Sequence, residues 1–226
     1  MKILAAIFCA LVSTTALAGS FVGTATNKED GPLQNVVFAL KPLTKDIVVP
    51  ATAPTVVSVT QDNLQFKPYV SVIRVGSLAQ FPNRDTVEHH IKSFSAIKPF
   101  EIAVHKPGDS PTPIKFEKEG AVIIYCILHD WMRTFIYVAD TPWFSQTESL
   151  GAARIENLPG GDYEISAWHP DLGQFKPPMT QKITIPVTGS VTTNFKFEFM
   201  PKTLRKAKPL RAGTAHDHSQ MLATGK

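Results

Sequence analysis

The sequence predicts an all-β protein, and three observations support that prediction. Proline and glycine are frequent, with 18 and 13 among the 226 residues. Short runs that alternate apolar and polar residues recur along the chain, whereas the helical spacing of apolar residues is nearly absent. Because turn residues separate these runs at short intervals, we expect the strands to build a β-sandwich or a Greek-key barrel.

The first residues have the pattern of a cleavable export signal. Lys2 precedes an apolar run at residues 3–12, and Ala16-Leu-Ala18 is a typical cleavage site. The apolar run is too short to span a bilayer, and we expect no integral membrane segment elsewhere. We therefore predict a signal peptide at residues 1–18, a mature chain that begins at Gly19, and a periplasmic location.

Two strands are expected at the start of the mature chain. Residues 21–26 and 33–40 have strand patterns on either side of the turn Glu29-Asp-Gly31, and a proline-bearing connector follows at residues 42–54. A denser series of short strands then extends to residue 138. Its runs lie at residues 56–60, 69–75, 79–81, 100–104, 114–116, 121–126 and 134–138.

Beyond Pro142 the strand pattern continues in a second all-β unit. Its runs lie at residues 152–156, 163–168, 181–185 and 192–199. Leu158-Pro-Gly-Gly-Asp-Tyr163 resembles the turn before a strand in carboxypeptidase-regulatory, transthyretin-like sandwiches. The opening hairpin of such a sandwich is missing from this half of the chain, and residues 21–41 resemble it.

This distribution predicts a discontinuous sandwich with a second module inserted into it. We expect the first hairpin in residues 19–50, the inserted module in 51–140 and the remainder of the sandwich in 141–200, because insertion at an exposed loop tip is well tolerated. Alternatively, residues 21–41 supply the first strands of the inserted module. Residues 201–226 are expected to be a disordered tail.

The charge of the chain is modestly basic. Lys2 is the one charged side chain within residues 1–18, so removal of that segment leaves 22 of the 23 basic residues against 19 acidic ones. Much of this excess lies in residues 201–226, which is typical of a solvated terminus. We therefore expect no nucleic-acid partner.

One heptapeptide carries the strongest functional signal. Cys126-Ile-Leu-His129-Asp-Trp-Met132 places a thiolate, an imidazole and a thioether three residues apart. Because Cys9 leaves with the predicted signal peptide, Cys126 is the only thiol of the mature chain and cannot form an internal disulfide. An unpaired thiol in an oxidising compartment calls for burial or a metal. One Cys, two His and a distant axial Met are the ligands of a mononuclear electron-transfer copper.

A second histidine ligand is available upstream, in the segment from Asn83 to the adjacent pair His89 and His90. Successive side chains of an extended segment face opposite sides, so the two imidazoles cannot both point at one copper. Position in the segment alone leaves either of them as the ligand.

Residues 56–138 resemble the cupredoxins. Residues 62–68, Phe81-Pro-Asn83 and residues 116–120 lie where that family has comparable elements, and the loop from Cys126 to Met132 has the short ligand spacing of amicyanin. Over the mature chain the likeness is to bacterial plastocyanin-like proteins named for methylamine utilisation.

The resemblance implies one type 1 copper, and the implied ligands are His89, Cys126, His129 and Met132. Counted from Asn83, His89 is the ligand, and His90 stands where the family commonly has an Asn that ties the two ligand loops together. We expect Asn83 and His90 to support the ligands from outside. Trp131 either packs over the site or makes an exposed rim contact.

These ligands predict an electron carrier, not an enzyme. Amicyanin-like proteins exchange electrons with a dehydrogenase and a cytochrome c, so the resemblance implies redox proteins as transient partners. The alternative is a binding protein, either a copper carrier or an envelope scaffold whose transthyretin-like unit docks a partner.

Other chemistries explain fewer of these residues. A hydrolase with Cys126 as nucleophile and His129 as base would leave His89 and Met132 without a role. A multicopper oxidase would need further His-x-His ligands, and the part of the chain expected to fold has none. We expect His105 to lie at the surface and His169 to be structural.

Overall fold

A computed structural model describes residues 18–173 and 175–202, and within them the protein is all-β, as predicted. In the described ranges, seventeen strands are joined by turns, loops and one short 3-10 helix at Pro170–Leu172. The strands are β1 Gly19–Thr26, β2 Val37–Pro42, β3 Val56–Ser58, β4 Thr60–Gln61, β5 Phe66–Lys67, β6 Val70–Arg74, β7 Leu78–Gln80, β8 His89–Ser93, β9 Phe100–His105, β10 Ile114–Lys115, β11 Gly120–Cys126, β12 Arg133–Ala139, β13 Phe144–Gln146, β14 Ala152–Leu158, β15 Gly161–Trp168, β16 Met179–Ile185 and β17 Gly189–Lys196.

The first and last parts of the chain form one β-sandwich. One sheet has the order β14-β1-β17, and the facing sheet has the order β13-β2-β15-β16. Inward-facing side chains fill the space between them, with the rings of Phe21 and Phe38 5.7 Å apart and Tyr163 fully buried. Because β1 and β2 pair with strands that follow residue 143, this sandwich is discontinuous, as the sequence predicted.

The intervening strands form a second sandwich. Its larger sheet is mixed, with the order β6-β12-β11-β8-β9, and it is accompanied by the sheet β10-β7-β3 and the small hairpin β4-β5. Strand β12 runs parallel to β6 and antiparallel to β11. Cys126 and Met132 are both buried in the apolar core of this unit. The predicted boundaries at residues 50 and 140 fall in the connections on either side of it and stay predictions.

The two sandwiches share a third apolar cluster. Trp168 of β15 packs against β12, with its ring centroid 6.0 Å from Phe135 and 5.2 Å from Tyr137. Val37 and Ala39 of β2 belong to the same cluster. Strand β12 is therefore covered on both faces, which explains its nearly continuous apolar sequence.

Two of the sequence predictions fall outside this description. The predicted signal peptide, apart from Ala18, and nearly all of the predicted basic tail lie outside the described residues. Within the described ranges, no helix is long and apolar enough to cross a membrane.

We predict that Trp168→Ala lowers the free energy of unfolding by about 3–5 kcal/mol, because it leaves a cavity between the two sandwiches. Urea denaturation measures the change. Phe175→Ala is the matched control, since that ring is 90% exposed whereas Trp168 is 1% exposed. The control is expected to stay within about 0.5 kcal/mol of the parent. Equal effects of the two substitutions would show that the shared cluster contributes little.

Candidate metal centre

Three ligating side chains meet where β8 begins and β11 ends. Nitrogen atoms of His89 and His129 and the sulfur of Cys126 all lie within 4.8 Å of one another. Cys126 Sγ is 3.5 Å from Nδ1 of His89 and 3.4 Å from Nδ1 of His129. All three residues are buried, so the donor atoms converge in a site with little access to water.

Strand pairing brings these donors together. In the antiparallel pair of β8 and β11, Cys126 lies opposite Ile91, so the beginning of one strand meets the end of the other. Side chains alternate along β8, and His89 is fully buried whereas His90 is half-buried. Of the adjacent pair, His89 is therefore the residue whose imidazole lies beside Cys126.

The loop from Cys126 to Met132 is closed by its own backbone. The Cys126 N–H donates to the Met132 carbonyl at 3.1 Å, and the Met132 N–H donates to the His129 carbonyl at 2.9 Å. The Met132 side chain is buried in the same apolar cluster as Cys126. A soft thioether and a soft thiolate are thus held on one short loop.

The His90 imidazole pairs with a carboxylate on the neighbouring strand β9. Its Nε2 lies 2.6 Å from Oε1 of Glu101 on β9, where Glu101 also accepts a hydrogen bond from Lys92. The tie to the Cys126 loop is made by the backbone, because the Ile127 N–H donates to the His90 carbonyl at 2.7 Å. Strand alternation turns the His90 ring away from the Cys126 loop, and support of the ligands by the His90 side chain stays a prediction.

Asn83 organises the segment before His89. It is buried, and its amide donates to the carbonyls of Val87 at 2.9 Å and His105 at 3.3 Å. Its side-chain oxygen accepts the Asp85 N–H at 2.9 Å, which forms an Asx turn. The position expected for Asn83 beside the ligand segment agrees with this arrangement.

Asp85 is a neighbour of the site that the sequence reading missed. Nε2 of His89 lies 2.8 Å from Oδ2 of Asp85, and the Asp85 side chain is only 8% exposed. The available signal was a carboxylate four residues before the ligand histidine, in a segment that begins with an Asx turn.

His105 is buried, and the prediction that it lies at the surface is wrong. Its Nδ1 lies 3.2 Å from the Ala103 carbonyl, which can only accept, so Nδ1 carries the proton. Its Nε2 then accepts a hydrogen bond from the Gln61 amide at 2.9 Å. The ring lies 6.5 Å from that of His89, so His105 packs behind the ligand. His169 is structural, as expected, since its Nδ1 accepts the Asp171 N–H.

Trp131 packs beside the site. Its ring centroid is 5.5 Å from that of His129, and its Nε1–H donates to the Leu64 carbonyl at 3.1 Å. His129 itself is only 7% exposed, so little of this residue reaches the surface. Of the two alternatives for Trp131, these contacts favour packing.

Burial favours the uncharged forms of Cys126 and His89 before a metal binds. It raises the pKa of the Cys126 thiol, although backbone hydrogen bonds, among them one from His90, oppose the rise. Burial likewise lowers the pKa of His89, against the hydrogen bond to Asp85. Metal binding must therefore displace the thiol proton, so we expect the affinity to increase with pH.

The donor set fits a thiophilic transition metal. Two imidazole nitrogens and one thiolate are in-plane donors of mononuclear copper sites, and the Met132 thioether on the same loop is the type of donor that such sites use in addition. Hard cations such as Mg²⁺ prefer oxygen ligands, which these three donors do not provide. The cluster can thus hold a metal ion, and its chemistry favours copper.

Comparisons with family models and with curated proteins find no match. Among solved structures, the chain is similar to a purple cupredoxin from Nitrosopumilus maritimus, with 26% identity over 36% of this chain and 98% of that one at a TM-score of 0.34. It is similar to the Cu(I) form of an amicyanin mutant, M51A, with 16% identity over 40% and 96% of the two chains at a TM-score of 0.35. A copper-containing nitrite reductase from Thermus scotoductus SA-01 matches with 24% identity over 43% of this chain but only 25% of that one, at a TM-score of 0.35.

The mixed five-stranded sheet, the accompanying short strands and the ligands at the meeting point of β8 and β11 define the class of this unit. Residues 56–139 have a cupredoxin-like fold with a cluster of metal-ligating side chains.

We predict that His89→Ala weakens Cu(II) binding more than about 100-fold, because it deletes a donor atom. Removal of an outer hydrogen-bond partner typically costs only about 10–100-fold. His90→Ala is the matched control, since it removes the neighbouring imidazole that pairs with Glu101. Competition titration with a chelator measures both affinities. Loss of binding in the control but not in His89→Ala would reverse the ligand assignment.

Proposed function

We propose that this protein is a type 1 copper protein that carries single electrons between redox partners. The observation that carries the proposal is the position of Cys126 Sγ, which lies 3.5 Å and 3.4 Å from two imidazole nitrogens inside a buried site. A cysteine between two histidines, with a methionine on the same loop, is the ligand set of blue-copper electron-transfer centres.

The protein's own contribution is a fixed set of ligands. A bound copper ion would supply a one-electron redox couple. Cys126 would provide a thiolate, His89 and His129 imidazole nitrogens, and Met132 a thioether sulfur that would tune the potential. Strand pairing and the closed loop hold these groups in place, so an electron can arrive or leave with little rearrangement.

Electron partners would approach the loop of residues 127–131. Within this loop Ile127 is 46% exposed and His129 is 7% exposed. A small, partly apolar contact of this kind suits a brief encounter better than a permanent complex. We propose redox proteins of the cytochrome c or dehydrogenase type as partners.

We further propose that the protein works in the periplasm after removal of residues 1–18. The proposal is supported by the charged, apolar and small-residue segments at the start of the sequence. It agrees with the use of cysteine, because Cys126 is buried among metal-ligating groups. A thiol held in this way is protected from oxidation in an oxidising compartment.

The electron-transfer proposal predicts an intense visible thiolate-to-copper absorption when the purified protein is loaded with Cu(II), and reversible bleaching on reduction. Cys126→Ser is expected to abolish this band, because it removes the thiolate, while its unfolding curve without metal stays close to that of the parent. Visible and paramagnetic resonance spectra provide the measurement. A colourless protein that retains only Cu(I), or no metal, would instead support a copper carrier or a scaffold.

Met132→Leu is expected to retain copper and to raise the reduction potential, because the substitution removes a sulfur donor and preserves apolar volume. The measurement is a spectroscopic redox titration of the copper-loaded variant. Ile73→Leu is a suitable control, since it changes another buried apolar side chain of the same core and leaves every sulfur in place. An unchanged spectrum and potential in Met132→Leu would remove Met132 from the ligand set.

A further inference from the structure

Asp85 is held in one orientation by its surroundings. Both of its carboxylate oxygens lie 3.1 Å from the Leu64 N–H, which donates to them. Its own N–H donates to the Asn83 side chain at 2.9 Å. Because the carboxylate is nearly buried, it cannot turn away from His89 without losing these hydrogen bonds.

This orientation determines which nitrogen of His89 is free to bind a metal. An ionised carboxylate only accepts hydrogen bonds. The Nε2–H of His89 therefore donates a hydrogen bond to Oδ2 of Asp85, at 2.8 Å. A neutral imidazole protonated at Nε2 carries its lone pair on Nδ1. That nitrogen is the one that lies 3.5 Å from Cys126 Sγ.

The turn at Asn63 and Leu64 connects Asp85 to the second ligand loop. Its Leu64 N–H donates to Asp85, and its Leu64 carbonyl accepts the Trp131 Nε1–H at 3.1 Å. Asn63 and Leu64 have positive φ angles of 53° and 54°. Asparagine tolerates this conformation, but a branched apolar residue rarely adopts it. This backbone conformation directs the Leu64 N–H toward Asp85, in the segment before His89, and the Leu64 carbonyl toward Trp131, in the loop that contains His129.

We propose that Asp85 is a positioning residue that fixes the Nδ1 lone pair of His89 toward the metal and stabilises the oxidised form of the centre. The inference rests on the copper centre proposed above. A buried negative charge next to a ligand favours the ion of higher charge, because little water screens it. Asp85 therefore strengthens Cu(II) binding more than Cu(I) binding, which lowers the reduction potential.

The turn at Leu64 extends this role to both ligand loops. The chain of hydrogen bonds from Trp131 through Leu64 and Asp85 to His89 performs the loop connection that the His90 imidazole does not make. Outer hydrogen bonds of this kind orient metal ligands and adjust their basicity.

Asp85→Asn tests the role of the charge, because an amide oxygen still accepts from Nε2 of His89. Glu88→Gln is the matched control, since it removes a carboxylate one residue from His89 that makes no hydrogen bond or ion pair in the described structure. We expect the Cu(II) dissociation constant of Asp85→Asn to rise about 10–100-fold. The Cu(I) constant should rise less, with the potential increasing by about 59 mV for each tenfold difference. Equal changes in the two variants would overturn the proposed electrostatic role.

The tautomer is tested in the metal-free protein, so this result does not depend on electron transfer. Nitrogen NMR of the parent protein at pH 8 should show His89 protonated at Nε2 and bare at Nδ1. Asp85→Asn should keep this pattern, and Asp85→Leu should lose it. A proton on Nδ1 of His89 in the parent would overturn the positioning role. If the copper-loaded parent protein shows no thiolate-to-copper band while its His89 keeps the proton on Nε2, the proposed function is refuted and the positioning role is not.

Discussion

The register between β8 and β11 is the constraint on which the rest of the site depends. It places Cys126 opposite Ile91, so that the buried face of β8 delivers His89 to the thiol. A slip of one residue would present His90 instead, because side chains along a strand alternate between its faces. The pairing of Tyr125 with Arg133 then closes the second ligand loop. Two strand pairs thus determine which donors meet.

Some of the site could be predicted from local sequence because the ligand chemistry is local. Cys126, His129 and Met132 are three residues apart, and such a group is rare enough to indicate a metal site. The alternation of buried and exposed positions was also predictable, and it explains why His89 and His90 face different neighbours. The fold class and the discontinuous sandwich followed from the spacing of short strands and from the missing hairpin.

The partners of the ligands could not be predicted in the same way, because they come from distant parts of the chain. Asp85 owes its orientation to Leu64, which lies 21 residues away. The buried ring of His105 is paired with Gln61, which lies 44 residues away. Neither contact leaves a periodic pattern in the sequence. Strand topology alone brings these polar groups together, and once buried they need such partners.

The pairing of β2 with β13 has a consequence for the whole chain. Phe144 lies opposite Ala39, so the two ends of the segment that carries the metal ligands are fastened together within the other sandwich. Any ion that binds the folded ligand cluster more tightly than the unfolded chain raises the free energy of unfolding. Because the sandwiches also share the cluster around Trp168, part of that gain is transmitted to strands that never contact the ion. A bound metal would therefore also stabilise the sandwich that contributes no ligand.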